Sequence, residues 1–133
     1  MPRFAAEYVW LPHGIQPNKA VVVNEAGIVE RVEDALPGEE LLDGIICTGF
    51  VNAHCHLELS GMRGQIPEGT GMAGFIRKLQ SVRDGFTEAE RVAAALKAAD
   101  EMYAMGVSAV GDISNGETTL DIKRTHPLRF HTF

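Results

Sequence analysis

The order of the segments from Gly44 onward restricts the fold more than any other feature of the sequence. The run GIICTGFVNAHCHLEL reads as a strand, and VSAVGDIS, from Val107, reads as another. About 40 to 50 residues separate them, too many for a hairpin, and they contain a well-marked helix. Thr87-Glu88-Ala89-Glu90 is a capping box, in which the threonine hydroxyl accepts from the Glu90 amide while the Glu90 carboxylate reaches back. Ala89, Val92, Leu96, Ala99 and Tyr103 then fall on one helical stripe, and Gly106 supplies a left-handed stop. A second helix is expected in FIRKLQSVRDG, after a loop, SGMRGQIPEGTGMAG, that holds five of the 14 glycines. With a third strand in PLRFHTF, the pattern predicts an α/β fold with a parallel sheet.

The residues before this segment have a different texture. AEYVWL, KAVVVN and GIVERVE are short β elements separated by Pro12, Gly14 and Pro17, by Glu25-Ala26-Gly27, and by Pro37-Gly38. They predict a meander or small sandwich over residues 1–46, too short to stand alone and therefore packed against residues 47–133. A net charge of −6 with scattered basic residues argues against a nucleic-acid partner. No apolar run is long enough to cross a membrane, and no signal peptide is visible at the N-terminus. The two cysteines, Cys47 and Cys55, do not make a disulfide framework, so a reducing, cytoplasmic setting is expected.

The chemistry concentrates at His54-Cys55-His56. On a continuous strand, alternation puts Phe50, Asn52, His54, His56 and Glu58 on one face and Val51, Ala53, Cys55 and Leu57 on the other. Two imidazoles at i and i+2 then project together and can share one metal ion. Spacing alone leaves a second reading open, in which both are hydrogen-bonded core histidines. The position favours ligation, because the strand runs out into a glycine-rich loop at the carboxyl edge of a parallel sheet, where sites are built.

The stretch GFVNAHCHLELSGMRG closely resembles the first barrel strand of the amidohydrolase superfamily. The likeness is to the branch of cytosine deaminases, chlorohydrolases and aminodeoxyfutalosine deaminases, whose typical text is Pro-Gly-Phe-Val/Ile-Asn-x-His-x-His-Leu. KAVVVNEAGIVERVE is similar to that family's N-terminal sandwich strands, GTGMAGFIRKL to the helix after its first strand, and MYAMGVSAVGDISN to its second strand. Thr48 stands where the family has proline.

The resemblance implies a TIM-type (β/α)8 metal-dependent hydrolase barrel, begun here by strands one to three and incomplete at Phe133, since such a barrel needs about 250 residues. It implies that His54 and His56 are the first two ligands of a divalent metal, zinc before iron. It also implies a hydrolytic deamination or dechlorination of a purine-, pyrimidine- or nucleoside-like small molecule. The family's other ligands, a histidine and an aspartate, and its acid/base residues lie on later strands. No catalytic residue is therefore expected in this chain, which by itself is expected to be an inactive fragment that associates through an exposed sheet edge.

Glu58 and Asp112 have two readings each. Glu58 either touches substrate or supports a ligand, or forms a salt bridge to Arg63 or Arg77; Asp112 either faces the barrel interior or makes a structural hydrogen bond. His126 and His131 are expected to hydrogen-bond or meet solvent, and Cys55 to pack as a small apolar residue. Against the enzyme reading stand a non-catalytic metal-binding or interaction module, and a structural β/α fragment that binds no metal.

Overall fold

Residues Arg3–Leu11 (β1) and Gly14–Val23 (β2) pair antiparallel, in a register that runs from Arg3 opposite Val22 to Leu11 opposite Gly14. Ala5, Ala6 and Val9 on β1 and Ala20, Val21 and Val22 on β2 are buried, so the centre of this hairpin is packed with small and β-branched side chains. Asn24 turns the chain into β3 (Val29–Asp34): its side-chain oxygen accepts from the amides of Ala26 and Ile28, both at 3.0 Å, and Gly27 takes the left-handed φ of 78°. Strand β4 (Leu42–Ile46) lies parallel to β1, and the sheet order is β3-β2-β1-β4. The expected sandwich strands are thus present as one four-stranded layer.

The computed structural model describes residues Met1–Phe133, which divide into two units, Met1–Thr48 and Gly49–Phe133. In the second unit, β5 (Phe50–Cys55), β6 (Val107–Asp112) and β7 (Arg129–Thr132) form a parallel sheet in the order β5-β6-β7, as the segment order predicts. Helices α1 (Gly71–Arg83) and α2 (Glu88–Ala104) lie between β5 and β6, and a short α3 (Leu120–Thr125) precedes β7. The capping box at α2 is fully formed: the Glu90 amide donates to Thr87 Oγ1 at 3.3 Å, and the Thr87 amide donates to Glu90 Oε2 at 2.8 Å.

The core consists of Leu57, Ala95, Ala99, Val110, Ile122 and Leu128, flanked by Val92, Met102 and Phe130. This turns α2 from the stripe expected of it, because Leu96 and Tyr103 are 43% and 53% exposed. The inward line is Val92, Ala95, Ala99 and Met102. Two fully buried alanines in that line let the helix backbone approach the core, and the larger residues fall outside it.

The run GIICTGFVNAHCHLEL is not one strand. It supplies β4 of the first sheet, a break at Cys47–Gly49, β5 of the second sheet, and a 3₁₀ segment, Leu57–Met62. Gly49 allows the close approach that starts β5, since a Cβ there would stand 2.6 Å from Ser108 Cβ. Cys47 and Cys55 consequently sit on different elements rather than on one extended segment. No helix is long and apolar enough to cross a membrane.

Candidate metal centre

Strand β5 leaves its regular register just before the histidines. Asn52 pairs with Val110, but Cys55 pairs with Asp112, so three steps on β5 oppose two on β6. This β-bulge reverses the alternation. Asn52 therefore does not share a face with His54 as continuous alternation requires. Its amide nitrogen lies 3.5 Å from Met102 Sδ on α2, on the same side as Cys55, which packs against the core. Burial first, and then the Asp112 charge, push the Cys55 thiol up, which keeps it protonated and fits a packing role.

Gly111 is the partner of the bulge. A Cβ at Gly111 would meet the Ala53 carbonyl oxygen at 2.7 Å, so only glycine lets the displaced backbone lie against β6.

Past the bulge the two imidazoles stand side by side. The rings of His54 and His56 have centroids 5.2 Å apart and planes inclined at 70°. Two rings sharing a tetrahedral ion with metal–nitrogen bonds near about 2.1 Å have centroids roughly 5 Å apart, so the pair fits two corners of such a site. His54 is exposed and His56 half-buried, and His56 Nδ1 is a buried nitrogen with no hydrogen-bond partner in the chain. Nowhere does the chain gather three or more His, Cys, Asp or Glu side chains that could hold a metal ion, so these two imidazoles would supply part of a ligand set.

His56 ends the strand rather than continuing it. It precedes the 3₁₀ segment with φ −124° and ψ 78°, and its own side chain makes no cap. Asp112 satisfies the first amide of that segment: its Oδ1 accepts from the Leu57 amide at 2.7 Å, and Lys123 Nζ stands 2.6 Å from Oδ2. Asp112 is wholly buried on the side of β6 that carries Val110 into the core. Of the two readings of Asp112, this geometry supports the structural one, since Oδ1 accepts from the Leu57 amide and Oδ2 faces the Lys123 ammonium.

Glu58 lies in the 3₁₀ segment and not on the strand, so it does not continue the histidine register. It is 8% exposed, and its carboxylate accepts from Asn115 Nδ2 at 2.8 Å and from the Asn115 amide at 3.2 Å. Neither arginine expected as its partner is used: Arg63 pairs with Glu101 on α2 at 2.7 Å. His126 is held between Asp100, 3.2 Å from its Nε2, and the Leu128 amide, which donates to Nδ1 at 3.1 Å. His131, on β7, packs edge-on against Phe133 at 4.7 Å between ring centroids.

Lys123 and Asn115 are the residues near this site that sequence reasoning missed. Nothing in their spacing signals them, since each meets its carboxylate only through the fold.

Solved structures share this arrangement of elements. Helicobacter pylori aminofutalosine deaminase, in complex with methylthio-coformycin, matches 100% of the chain with a TM-score of 0.75 at 21% identity, over 35% of its own chain. Atrazine chlorohydrolase TrzN from Arthrobacter aurescens TC1, complexed with zinc, matches 99% with a TM-score of 0.76 at 18% identity, again over 35% of its own chain. An adenosine deaminase from Xanthomonas campestris with bound zinc matches 96% with a TM-score of 0.71 at 21% identity, over 32% of its chain. The chain thus has the fold of the N-terminal part of amidohydrolase structures and spans about a third of their length. No protein-family model and no curated protein matches it.

Proposed function

We propose that this chain is the N-terminal part of a metal-dependent hydrolase of the amidohydrolase superfamily, with His54 and His56 as its first two metal ligands. The observation that carries this reading is the imidazole pair, 5.2 Å between centroids, at the exit of a bulged strand in a fold shared with a zinc-bound adenosine deaminase and a zinc-bound chlorohydrolase. Imidazole nitrogens suit zinc first and iron second. When bound, such an ion supplies an activated water at near-neutral pH for attack on an electrophilic carbon.

The chain's own residues do the holding. Both imidazoles would ligate as neutral rings through a ring nitrogen. The bulge at Ala53–His54 turns the rings to one side, and Glu58, anchored on Asn115, stiffens the turn that follows His56. With both carboxylate oxygens occupied by Asn115, Glu58 is better suited to support than to substrate contact.

The substrate class is a small heterocycle carrying an exocyclic amine or halide, like the purine-, pyrimidine- and triazine-type compounds of the similar enzymes. Water adds at the carbon, its oxygen forms the new C–O bond, and ammonia or halide leaves. The reaction is that of the whole protein, because a catalytic zinc site commonly uses three protein ligands.

Equilibrium dialysis of the purified chain against zinc, followed by metal analysis, tests the ligand reading. Near-stoichiometric zinc is expected, with His54→Ala and His56→Ala each weakening binding by about tenfold or more. Substoichiometric zinc that is unchanged in both variants would leave the structural fragment as the better account. Ammonia or chloride release from adenosine-, cytosine- and triazine-type compounds, measured on the whole protein, tests the reaction; zinc binding without any such release would favour the metal-binding module.

A further inference from the structure

We propose that the buried pair Asp112–Lys123 is the device that positions His56, acting through the Leu57 amide, and that it ties the metal pair to the third strand; this rests on the ligand reading of His54 and His56.

The first amide of a helical segment has no partner within the segment, and the side chain of the residue before it, when it caps, reaches the second or third amide instead. At this position the chain has His56, whose imidazole makes no cap. Asp112 accepts from the Leu57 amide at 2.7 Å, from the end of a neighbouring strand. The consequence is specific to the site. The peptide plane between His56 and Leu57 is fixed, which sets the His56 ψ of 78°, while the imidazole stays free for another use.

The pair is poorly explained by stability. Asp112 and Lys123 have side-chain exposures of 0% and 6%, and a buried ion pair is often no more stabilising than apolar residues of the same volume. Its geometry is better explained by position. Lys123 Nζ reaches Asp112 Oδ2 at 2.6 Å, Thr132 Oγ1 at 3.1 Å and Ser114 Oγ at 3.4 Å. One ammonium therefore joins α3, the end of β6 and the end of β7, and Asp112 carries that constraint to the residue beside His56. Asp112 and Lys123 are positioning residues, since neither side chain contacts the imidazoles.

Two paired substitutions separate positioning from stability, because neither leaves an uncompensated charge. Asp112→Asn with Lys123→Met keeps an oxygen that can accept from Leu57; Asp112→Leu with Lys123→Met removes it. Zinc affinity by competition titration should stay within about threefold of wild type in the first and fall about 10- to 100-fold in the second, the range seen when groups supporting a metal ligand are removed. Val110→Ala, a core truncation beside the pair, should lower the urea midpoint yet leave zinc affinity unchanged. The nuclear Overhauser effect between the His54 and His56 rings, measured without metal, should persist in the asparagine variant and vanish in the leucine variant. If the leucine variant fails to fold, Asp112→Ala with Lys123→Met carries the same readouts.

A folded leucine or alanine variant with wild-type zinc affinity and an intact ring contact overturns the proposal. If wild-type chain binds no zinc, the ligand reading fails, and the ring contact alone decides whether the pair positions His56.

Discussion

Arg3 in the N-terminal sheet gathers Glu33, two oxygens of Glu39 at 2.7 and 3.0 Å, and the Asp34 carbonyl, all at side chains that water reaches. Asp112 in the C-terminal sheet meets Lys123 where neither is wetted. The two clusters use the same chemistry under different dielectric conditions. Exposed pairs gain little, because water competes for both partners and salt screens them. A buried pair is costly to assemble and far more costly to break, because removing one partner strands the other charge. The first kind of cluster can vary at small cost to the fold; the second holds the backbone around it to one arrangement, and it lies one residue from His56.

The sharpest way to break this contrast is Asp112→Ala alone, which leaves Lys123 buried without a counter-charge. Urea denaturation should show a loss of about 3–5 kcal/mol, whereas the fully apolar double substitution should cost far less. An equal loss in both would mean that packing volume, and not the stranded charge, dominates there.

A smaller effect is expected at Gly111. The Cβ of Gly111→Ala would press on the Ala53 carbonyl oxygen at 2.7 Å, so the bulge must shift or the strands must part. Overpacking of this kind costs about 1–3 kcal/mol, and here it should also move His54. Chemical denaturation measures the first, and loss of the ring contact between His54 and His56 reports the second. Lost stability with that contact intact would detach the bulge from the site.

These residues also show what can be read without a structure. The capping box at Thr87 and Glu90 is legible because its partners are three residues apart. The parallel sheet follows from segment order, and His54 and His56 stand out by type and spacing. The bulge was not legible, because it depends on Gly111 receiving a carbonyl from another strand. A continuous alternation accordingly misplaced Asn52, and the same reasoning carried Glu58 along a strand that had already ended. Asn115 is 57 residues from Glu58 and takes both its oxygens, a pairing that only the topology creates. Local hydrogen bonds are written in the sequence; contacts across strands are not.

The smallest effect belongs to the half-buried cluster around Arg3, and pH is the way to see it. Glu39 is held below the ordinary glutamate range, first by the Arg3 side chain and then by the Leu36 amide. Glu33 is lowered chiefly by Arg31, and Asp34 chiefly by Lys19. In each case the unfolded chain binds protons more readily than the folded one. The stabilisation is therefore complete above the ordinary carboxylate values and is lost as pH falls through the depressed ones. Trp10, the single tryptophan, lies on β1 and reports this sheet. Its fluorescence-detected urea midpoint should fall as the solution is acidified through that window, and Glu39→Gln should flatten the fall by lowering the midpoint slightly at neutral pH and converging with wild type in acid. About 1 M salt, with a screening length near 3 Å, should erase most of the difference between Glu39→Gln and wild type but leave the cost of Asp112→Ala in place. An unaltered acid slope in Glu39→Gln, or a salt-sensitive cost at Asp112, would show that exposure is not what separates the two clusters.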